Sequence, residues 1–512
     1  MNVSVFLEAA REIFTLYGIA WVGIGVLAGI LLGAMPGIST NMAISLLFSL
    51  CYTIDGTAGV SMLLGIYCGG IYGGSISAIL LNTPGTPANA ATMLDGYPMA
   101  KRGEPGRALG ISTMSSGFGG LFSAVCLMLF STLLARISLK FTSLEYCAFA
   151  VFGISIISSI ASKSVIKGLM GGVIGLLASC IGVDSLTGTL RYTFGTTYLM
   201  GGLPLIPLLI GLFALSQALV SVEELVKNSS NENEGAEYNF VKGGGKKQRF
   251  LPTRKDIKAC IPTLLRSSII GTVIGAVPGT GGDISSFVCY NEAKRWSKDK
   301  EKFGTGCPEG IAAPEAGNNS VSGGAMIPML SLGIPGDSCT AMLLGALMIK
   351  GISPGPTLFT SDLVYAYEIF ISMFIANGLM IVFGFLLLRY VIRIVMIKSK
   401  HLIPIIVVLC FVGTYSFNRN YGDLVVMVAA GIIGYFASKH HISLSAFVIG
   451  YILGTMAESN FRRFIYIEEG NILAVFHRPI AVALFAIALV TLLSPMLKRV
   501  FFWIREGRFS RR

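Results

Sequence analysis

Residues 61–107 read SMLLGIYCGGIYGGSISAILLNTPGTPANAATMLDGYPMAKRGEPGR. An apolar, glycine-rich run stops at Pro84-Gly85, and a second apolar run follows before Lys101, Arg102 and Arg107 close the segment. Proline removes a backbone donor and disfavours helix at the residue before it. Glycine accepts backbone angles that other residues avoid. A hydrophobic helix interrupted in this way would leave peptide groups unpaired in lipid. Such an interruption is tolerated only inside protein or beside a wet cavity. The break is therefore the candidate binding site.

The rest of the chain supplies the setting. Of 512 residues, 53% are hydrophobic and only 13% are charged, against roughly 25% charged in a soluble protein. This composition identifies an integral membrane protein. Apolar runs of about 20 residues recur, as helical spans require and the alternating strands of a porin do not. The expected fold class is all-α: a polytopic helical membrane protein with two inverted repeats and Pro-Gly-broken, re-entrant or discontinuous helices. The net charge of +12 is read as positive-inside loops rather than as a nucleic-acid surface. Ten cysteines include no C-x-x-C pair and sit mostly in apolar runs, so neither a disulfide framework nor a metal site beyond Na⁺ is expected. No HExxH, P-loop or nucleophile elbow is present. The reading is no catalytic residues, no cofactor, no ATP site and no enzyme. The N-terminus, MNVSVFLEAAREIF, carries Glu8 and Glu12 and lacks a basic start; it reads as a short amphipathic helix, not a removable signal peptide.

Apolar segments fall near 16–34, 38–54, 58–82, 87–99, 107–134, 144–161, 165–183 and 197–220. Others lie near 259–277, 318–333, 337–350, 363–388, 402–417, 421–437, 442–457 and 479–498. A polar stretch between the two groups divides the chain into a first half (1–222), a linker (223–258) and a second half (259–512). Basic clusters at Lys101–Arg107, Lys163–Lys167, Lys242–Lys258, Arg389–Lys400 and the C-terminal tail all fall on one face when the segments alternate. That face is the cytoplasm by the positive-inside rule, which puts the C-terminus there. Arg462 and Arg463 fall on the wrong side of this scheme, and Arg136 and Lys140 are milder exceptions.

An internal repeat runs through both halves. Gly33-Ala34-Met35-Pro36-Gly37 matches Gly275-Ala276-Val277-Pro278-Gly279, and Thr83-Pro84-Gly85-Thr86-Pro87 matches Ile334-Pro335-Gly336-Asp337-Ser338. The assigned topology makes the two units inverted, an arrangement typical of secondary transporters with substrate near the midplane. Polar residues accompany each break: Ser39, Thr40 and Asn41; Asn82, Gly85, Thr86 and Asn89; Gly279 and Thr280; Gly336, Ser338 and Thr340. Helix N-termini offer free N–H groups and partial positive charge, so converging ends suit a carboxylate. The same residues also suit helix capping. Asp283, Asp337 and Asp95 lie a few residues after breaks, where an acid holds a cation, carries a proton or caps a helix. Glu309 and Glu315 precede the second broken segment of the second half, and Asn318, Asn319 and Ser320 begin it. These oxygens suit Na⁺ or a helix start. Gly110, Gly117, Gly119, Gly120, Gly171, Gly172 and Gly175 read as close-packing positions.

The stretches GGSISAILLNTPGTPANAATMLDGYPMAKRG and GIAAPEAGNNSVSGGAMIPMLSLGIPGD resemble the two signature regions of the large membrane subunit of tripartite tricarboxylate transporters, the TctA family. MPGIST and VPGTGGDISSF, followed by YNEAKRWSKDKEKFGTG, resemble the same family's other breaks. The resemblance implies a bacterial inner-membrane, multi-pass secondary transporter importing a carboxylate, driven by Na⁺ or H⁺. It implies a periplasmic solute-binding protein and a small four-helix membrane subunit as partners, and it admits a homo-oligomer. Asp283 and Asp337 depart from the small or hydroxyl residues expected at those places. Two acids beside anion sites disfavour a citrate-like trianion and point to altered ion coupling or a less charged or cationic ligand. Asp283, Asp337, Asn318, Asn319 and Glu315 are the candidate cation ligands. A channel and a membrane-embedded enzyme stay open as alternatives.

Overall fold

The computed structural model describes residues 3–35, 37–160, 165–184, 186–228, 250–394 and 399–493. Pro36, most of the polar linker, Lys163, Lys242–Lys247, Lys398 and the C-terminal tail lie outside the described residues. The chain is all-α and polytopic. Its helices are α1 (Val3–Ile13), α2 (Leu16–Gly33), α3 (Thr40–Thr53), α4 (Ala58–Leu81), α5 (Ala90–Lys101), α6 (Pro105–Ser138), α7 (Ser143–Ile160), α8 (Val165–Ser179) and α9 (Leu205–Leu209). They continue with α10 (Ser216–Asn228), α11 (Arg254–Ala276), α12 (Gly281–Trp296), α13 (Pro308–Leu332), α14 (Ser338–Ile349), α15 (Leu363–Ile394), α16 (Ser399–Asn418), α17 (Tyr421–Lys439) and α18 (Leu444–Ile467). A last helical stretch covers Pro479–Leu493. Among the described residues, seven helices are long and apolar enough to cross a membrane.

Two compact units emerge, and they cut across the halves of the sequence. The larger comprises Met1–Arg136, Leu205–Val277 and Gly281–Tyr435. At its centre lie α4 and α13, whose residues are buried almost throughout, as expected of helices apolar on every side. Glycine lets each take a partner at backbone contact. A Cβ at Gly29 of α2 would meet the Ile66 carbonyl of α4 at 2.6 Å, and one at Gly275 of α11 would meet the Val321 carbonyl of α13 at 2.7 Å. Thus α2 lies on α4 as α11 lies on α13. Outward faces carry exposed apolar side chains, for example Leu129, Phe130 and Leu133 on α6 and Ile405, Val408 and Val412 on α16. Lipid is the solvent such faces require.

Two elements next to the breaks differ from the hydropathy pattern. Helix α12 is absent from the apolar segments because Asn291, Glu292, Lys294 and Arg295 dilute its sequence, yet it buries Ser285, Ser286, Cys289, Tyr290 and Ala293. Helix α13 starts at Pro308, ten residues before the expected segment, with proline in its first turn and Glu309 beside it. Both choices favour a helix start. Glu315, Asn318, Asn319 and Ser320 therefore lie inside a buried helix rather than at its beginning.

The smaller unit comprises Ile137–Pro204, Pro278–Thr280 and Phe436–Arg512. Here α18 packs on α7 and α8. A Cβ at Gly171 would meet the Ser443 carbonyl at 2.6 Å, and Gly175 presses on the Phe447 backbone. A two-residue hairpin, β1 (Gly182–Val183) with β2 (Leu190–Arg191), follows α8. It brings Arg191 Nη1 to 2.6 Å from Glu458 and 3.6 Å from Asp184, and Arg462 also pairs with Asp184. Arg462, out of place by charge counting, thus has Asp184 and Glu458 as partners.

Candidate functional site

The second break of each half has one backbone design. Helix α4 ends on Asn82 (φ +55°) and α13 on Gly333 (φ +74°), both left-handed C-caps. Three residues on stand Gly85 and Gly336. A Cβ on Gly85 would meet the Gly33 carbonyl and the Gly74 Cα, each at 2.7 Å. One on Gly336 would meet the Gly275 carbonyl at 2.7 Å and the Ala325 Cα at 2.6 Å. No side chain fits at either point. The first breaks match too, since Gly37 and Gly279 both have φ +84°.

Chemistry differs on this shared frame. Thr86 donates to the Asn89 side-chain carbonyl at 2.6 Å, and Asn89 donates to the Ile71 carbonyl at 3.3 Å. In the second half a carboxylate does the capping. The Thr340 amide donates to Asp337 Oδ1 at 2.7 Å, and the Asp337 amide donates to Thr340 Oγ1 at 2.9 Å. Tyr67, from the middle of α4, donates to the other oxygen of Asp337 at 2.6 Å.

Within the larger unit, residues that follow the breaks approach one another. Ser39 caps α3 by accepting from the Met42 amide at 3.2 Å. Next to it, Asn41 donates to Ser338 Oγ at 2.9 Å and accepts from the Cys339 thiol at 2.7 Å. The starts of α3 and α14 therefore touch, 297 positions apart in sequence. At the start of α12, Asp283 accepts from the Ala88 amide, beside the second break, and is near enough to Asp337 for the two charges to act on each other. Its side chain is exposed. The Asn318 side chain presses on Gly282, and its buried amide nitrogen has no hydrogen-bond partner. Asn82 and Pro87 are exposed at the same breaks. Thr40 is buried against Gly70, with its hydroxyl unpaired.

Other expected residues lie elsewhere. Asn319 spends its amide on the Glu315 carbonyl of its own helix at 3.0 Å. Gly279 and Thr280 group with the smaller unit. Glu315 has a separate pocket, where Thr92 donates to it at 2.5 Å and Ser116 at 2.7 Å. Asp95 is an anchor: it accepts from the amides of Gly304, Gly306 and Cys307 at 2.7–3.0 Å and from the Tyr290 hydroxyl at 2.9 Å. Its carboxylate holds the loop that leads into α13, a part that none of the sequence readings gave it. Sequence reasoning missed Tyr67, Cys339, Ser112, Ser116 and Thr92. Tyr67 could have been found, since a tyrosine in a glycine-rich, wholly apolar run needs a partner for its hydroxyl.

The model of the tripartite tricarboxylate transporter TctA family matches residues 19–449. The chain belongs to the TctA family. An uncharacterised 52.8 kDa protein in the TAR-I ttuC' 3' region of Agrobacterium vitis is 33% identical over 499 residues, covering 98% of this chain and 96% of that one. An uncharacterised protein in the TAR-II ttuC' 3' region of the same organism is 33% identical over 230 residues, 45% of this chain and 95% of that one. No solved structure matches. As a TctA-family protein the chain is the permease component of a tripartite tricarboxylate transporter, of a family that works with a periplasmic binding protein and a small membrane subunit. The four breaks all fall within the matched residues.

Proposed function

We propose that this permease imports a carboxylate across the bacterial inner membrane by alternating access, with Na⁺ or H⁺ moving alongside. The solute arrives from a periplasmic binding protein, a small four-helix subunit completes the membrane complex, and the C-terminus is cytoplasmic. The two halves act as inverted repeats around one central site. Substrate contacts come from Ser39, Thr40 and Asn41, from Gly85, Thr86 and Asn89, and from Gly336, Ser338 and Thr340. Gly279 and Thr280 shape the remaining break. Asp283, Asp337 and Asn318 are the cation-side candidates in the cleft.

The observation that carries this reading is the direct bonding of Asn41 to Ser338 and Cys339, which joins a broken helix of each half at one polar point. Helix starts meeting there offer N–H groups to an anion. The unpaired Asn318 amide adds a donor. Two nearby carboxylates lower the appeal of a trianion and favour a monocarboxylate or dicarboxylate, or a carboxylate accompanied by a cation. The test is uptake by the purified full-length protein with its small subunit and binding protein in proteoliposomes. Labelled citrate is compared with labelled succinate under separate Na⁺ and pH gradients. Saturable, gradient-dependent uptake that falls at least ~10-fold in Asn41→Ala is expected, the loss of one or two strong hydrogen bonds. Non-saturable flux indifferent to the gradient would indicate a channel and overturn the reading.

A further inference from the structure

We infer that Glu315 is a proton-binding group whose ionisation ties the second half of the chain to the first. This deepens the transporter reading above by naming the coupling ion, but the titration that tests it stands without that reading.

Glu315 sits inside α13, about two turns from its start, with no exposed surface. Among the described residues no lysine, arginine or histidine pairs with it. A carboxylate in that position is costly unless its oxygens are hydrogen-bonded. Every donor it has comes from the first half. Thr92 of α5 donates to Oε1 at 2.5 Å, while Ser116 and Ser112 of α6 donate to Oε2 at 2.7 and 3.3 Å. Asn89, at the start of α5, also lies against it. The carboxylate thus connects α13 directly to the helix that begins at a cleft break.

Ser112 makes this connection two-state. A hydroxyl carries a single proton. Ser112 is 2.7 Å from Ser75 of α4, and Ser75 donates its own proton to the Tyr72 carbonyl at 2.7 Å. Ser112 can therefore donate to Ser75 or to Glu315, but not to both. Ionised Glu315 draws the proton of Ser112 and holds all three hydroxyls. Protonated Glu315 has a hydrogen of its own to donate to Ser112, which then donates to Ser75. The link between α13 and the α5–α6 pair is weakened, and the charge is gone. The spacing favours a proton over a metal ion here. Oxygens that share a cation are held apart by it, whereas these stand at direct hydrogen-bond distance.

Other titratable groups near α13 are engaged elsewhere. On α4, the Tyr72 hydroxyl is bonded to Thr113, and Tyr67 to Asp337. On α5, Asp95 is enclosed by the amides of the 304–307 loop and by Tyr290 of α12. Cys289 of α12 is bonded to the Ser267 carbonyl, and Asp283 lies at the cleft. On α11, Asp256 pairs with Arg107 of α6. On α14, Cys339 is bonded to Asn41.

The experiment is an infrared pH titration of the full-length protein in lipid nanodiscs, taken as wild type minus Glu315→Gln. A protonated-carboxyl stretch that titrates in the wild type and is missing from the variant is expected. Replacing choline chloride by sodium chloride should leave its midpoint in place. Ser116→Ala removes a donor to the ionised form and should raise the midpoint by roughly half to one pH unit, the worth of one such bond. Glu315→Asp, which keeps the charge should Gln disturb folding, should retain a titrating band at a moved midpoint. In proteoliposomes, Glu315→Gln should keep counterflow of whichever labelled carboxylate the wild type takes up, citrate or succinate, and lose its accumulation driven by a pH gradient. The absence of a titrating band, its displacement by sodium, or pH-driven accumulation unchanged in Glu315→Gln would each overturn the assignment. A wild type that moves neither citrate nor succinate would instead count against the proposed function.

Discussion

The break between α4 and α5 and the break between α13 and α14 share a backbone and differ in charge. In both, a left-handed residue ends the first helix, and a glycine three residues later sits where a Cβ would strike backbone at 2.6–2.7 Å. After the first break the neutral side chains of Thr86 and Asn89 bond to each other and leave the helix start without a side-chain cap, whereas Asp337 and Thr340 cap the second in a capping box. A repeated scaffold need not carry repeated chemistry. The frame is constrained by close packing, where one extra carbon is forbidden. The polar positions after each break are constrained only by hydrogen-bond geometry, which an amide, a hydroxyl or a carboxylate all satisfy. The cleft can therefore become electrically lopsided without any change in fold.

The largest expected effect tests the shared frame. Gly85→Leu and Gly336→Leu should each cut uptake by ~100-fold or more, since displacements near 1 Å at a site cost that much. Uptake is measured beside an immunoblot of the membrane fraction. Loss in only one variant would end the equivalence of the breaks. Next comes the difference in chemistry. Asp337→Asn should lower uptake by ~10-fold or more and alter its ion dependence, because it weakens the charged acceptor of the Tyr67 hydroxyl and the Thr340 amide, whereas Thr86→Val should cost only ~3- to 10-fold. Equal effects would mean that the charge at Asp337 has no special part.

A smaller effect should appear where the same asymmetry recurs at helix starts. Helix α2 begins on Thr15, which accepts from the Gly18 amide at 3.0 Å. Helix α11 begins on Thr253 in a full capping box with Asp256, and Asp256 also takes two bonds from Arg107, at 2.6 and 3.0 Å. Asp256→Ala should lower stability by ~1–3 kcal/mol and Thr15→Ala by ~1 kcal/mol, read as unfolding midpoints in detergent. Arg107→Gln combined with Asp256→Ala should be less than additive, because both remove one contact.

The mildest effect lies in the smaller unit and depends on pH. The Asp184 carboxyl is held below its ordinary range, chiefly by the amides of Thr187 and Leu186 and then by Arg462. A group depressed in the folded state stabilises fully above its unfolded pKa, about 3.9 for Asp. That stability fades as pH falls through this value toward the lower folded one. Asp184→Asn should therefore flatten the acid limb of a thermal-stability profile and leave uptake near neutral pH intact. An unchanged acid limb would remove Asp184 from the balance.

Much of this protein was legible one segment at a time. Hydropathy placed most of the spans, because burying apolar surface in lipid is a local property of about 20 residues. Proline and glycine placed the breaks, because their backbone limits travel with the residue. The family could be recognised from the stretches around those breaks. Other features follow only from packing across long separations. Helix α12 hides behind its polar residues, and α13 begins ten residues early. Glu315 and Asp95 read alike as acids near breaks, yet one lies in a cradle of hydroxyls and the other anchors a loop. Asn41 finds Ser338 from 297 positions away, and Tyr67 finds Asp337 from 270. By itself the sequence determined where the chain can cross a bilayer and where it must be interrupted, since both are properties of neighbouring residues. Only the tertiary structure decided which polar groups share a cleft, since a hydrogen bond is set by distance in space and not along the chain.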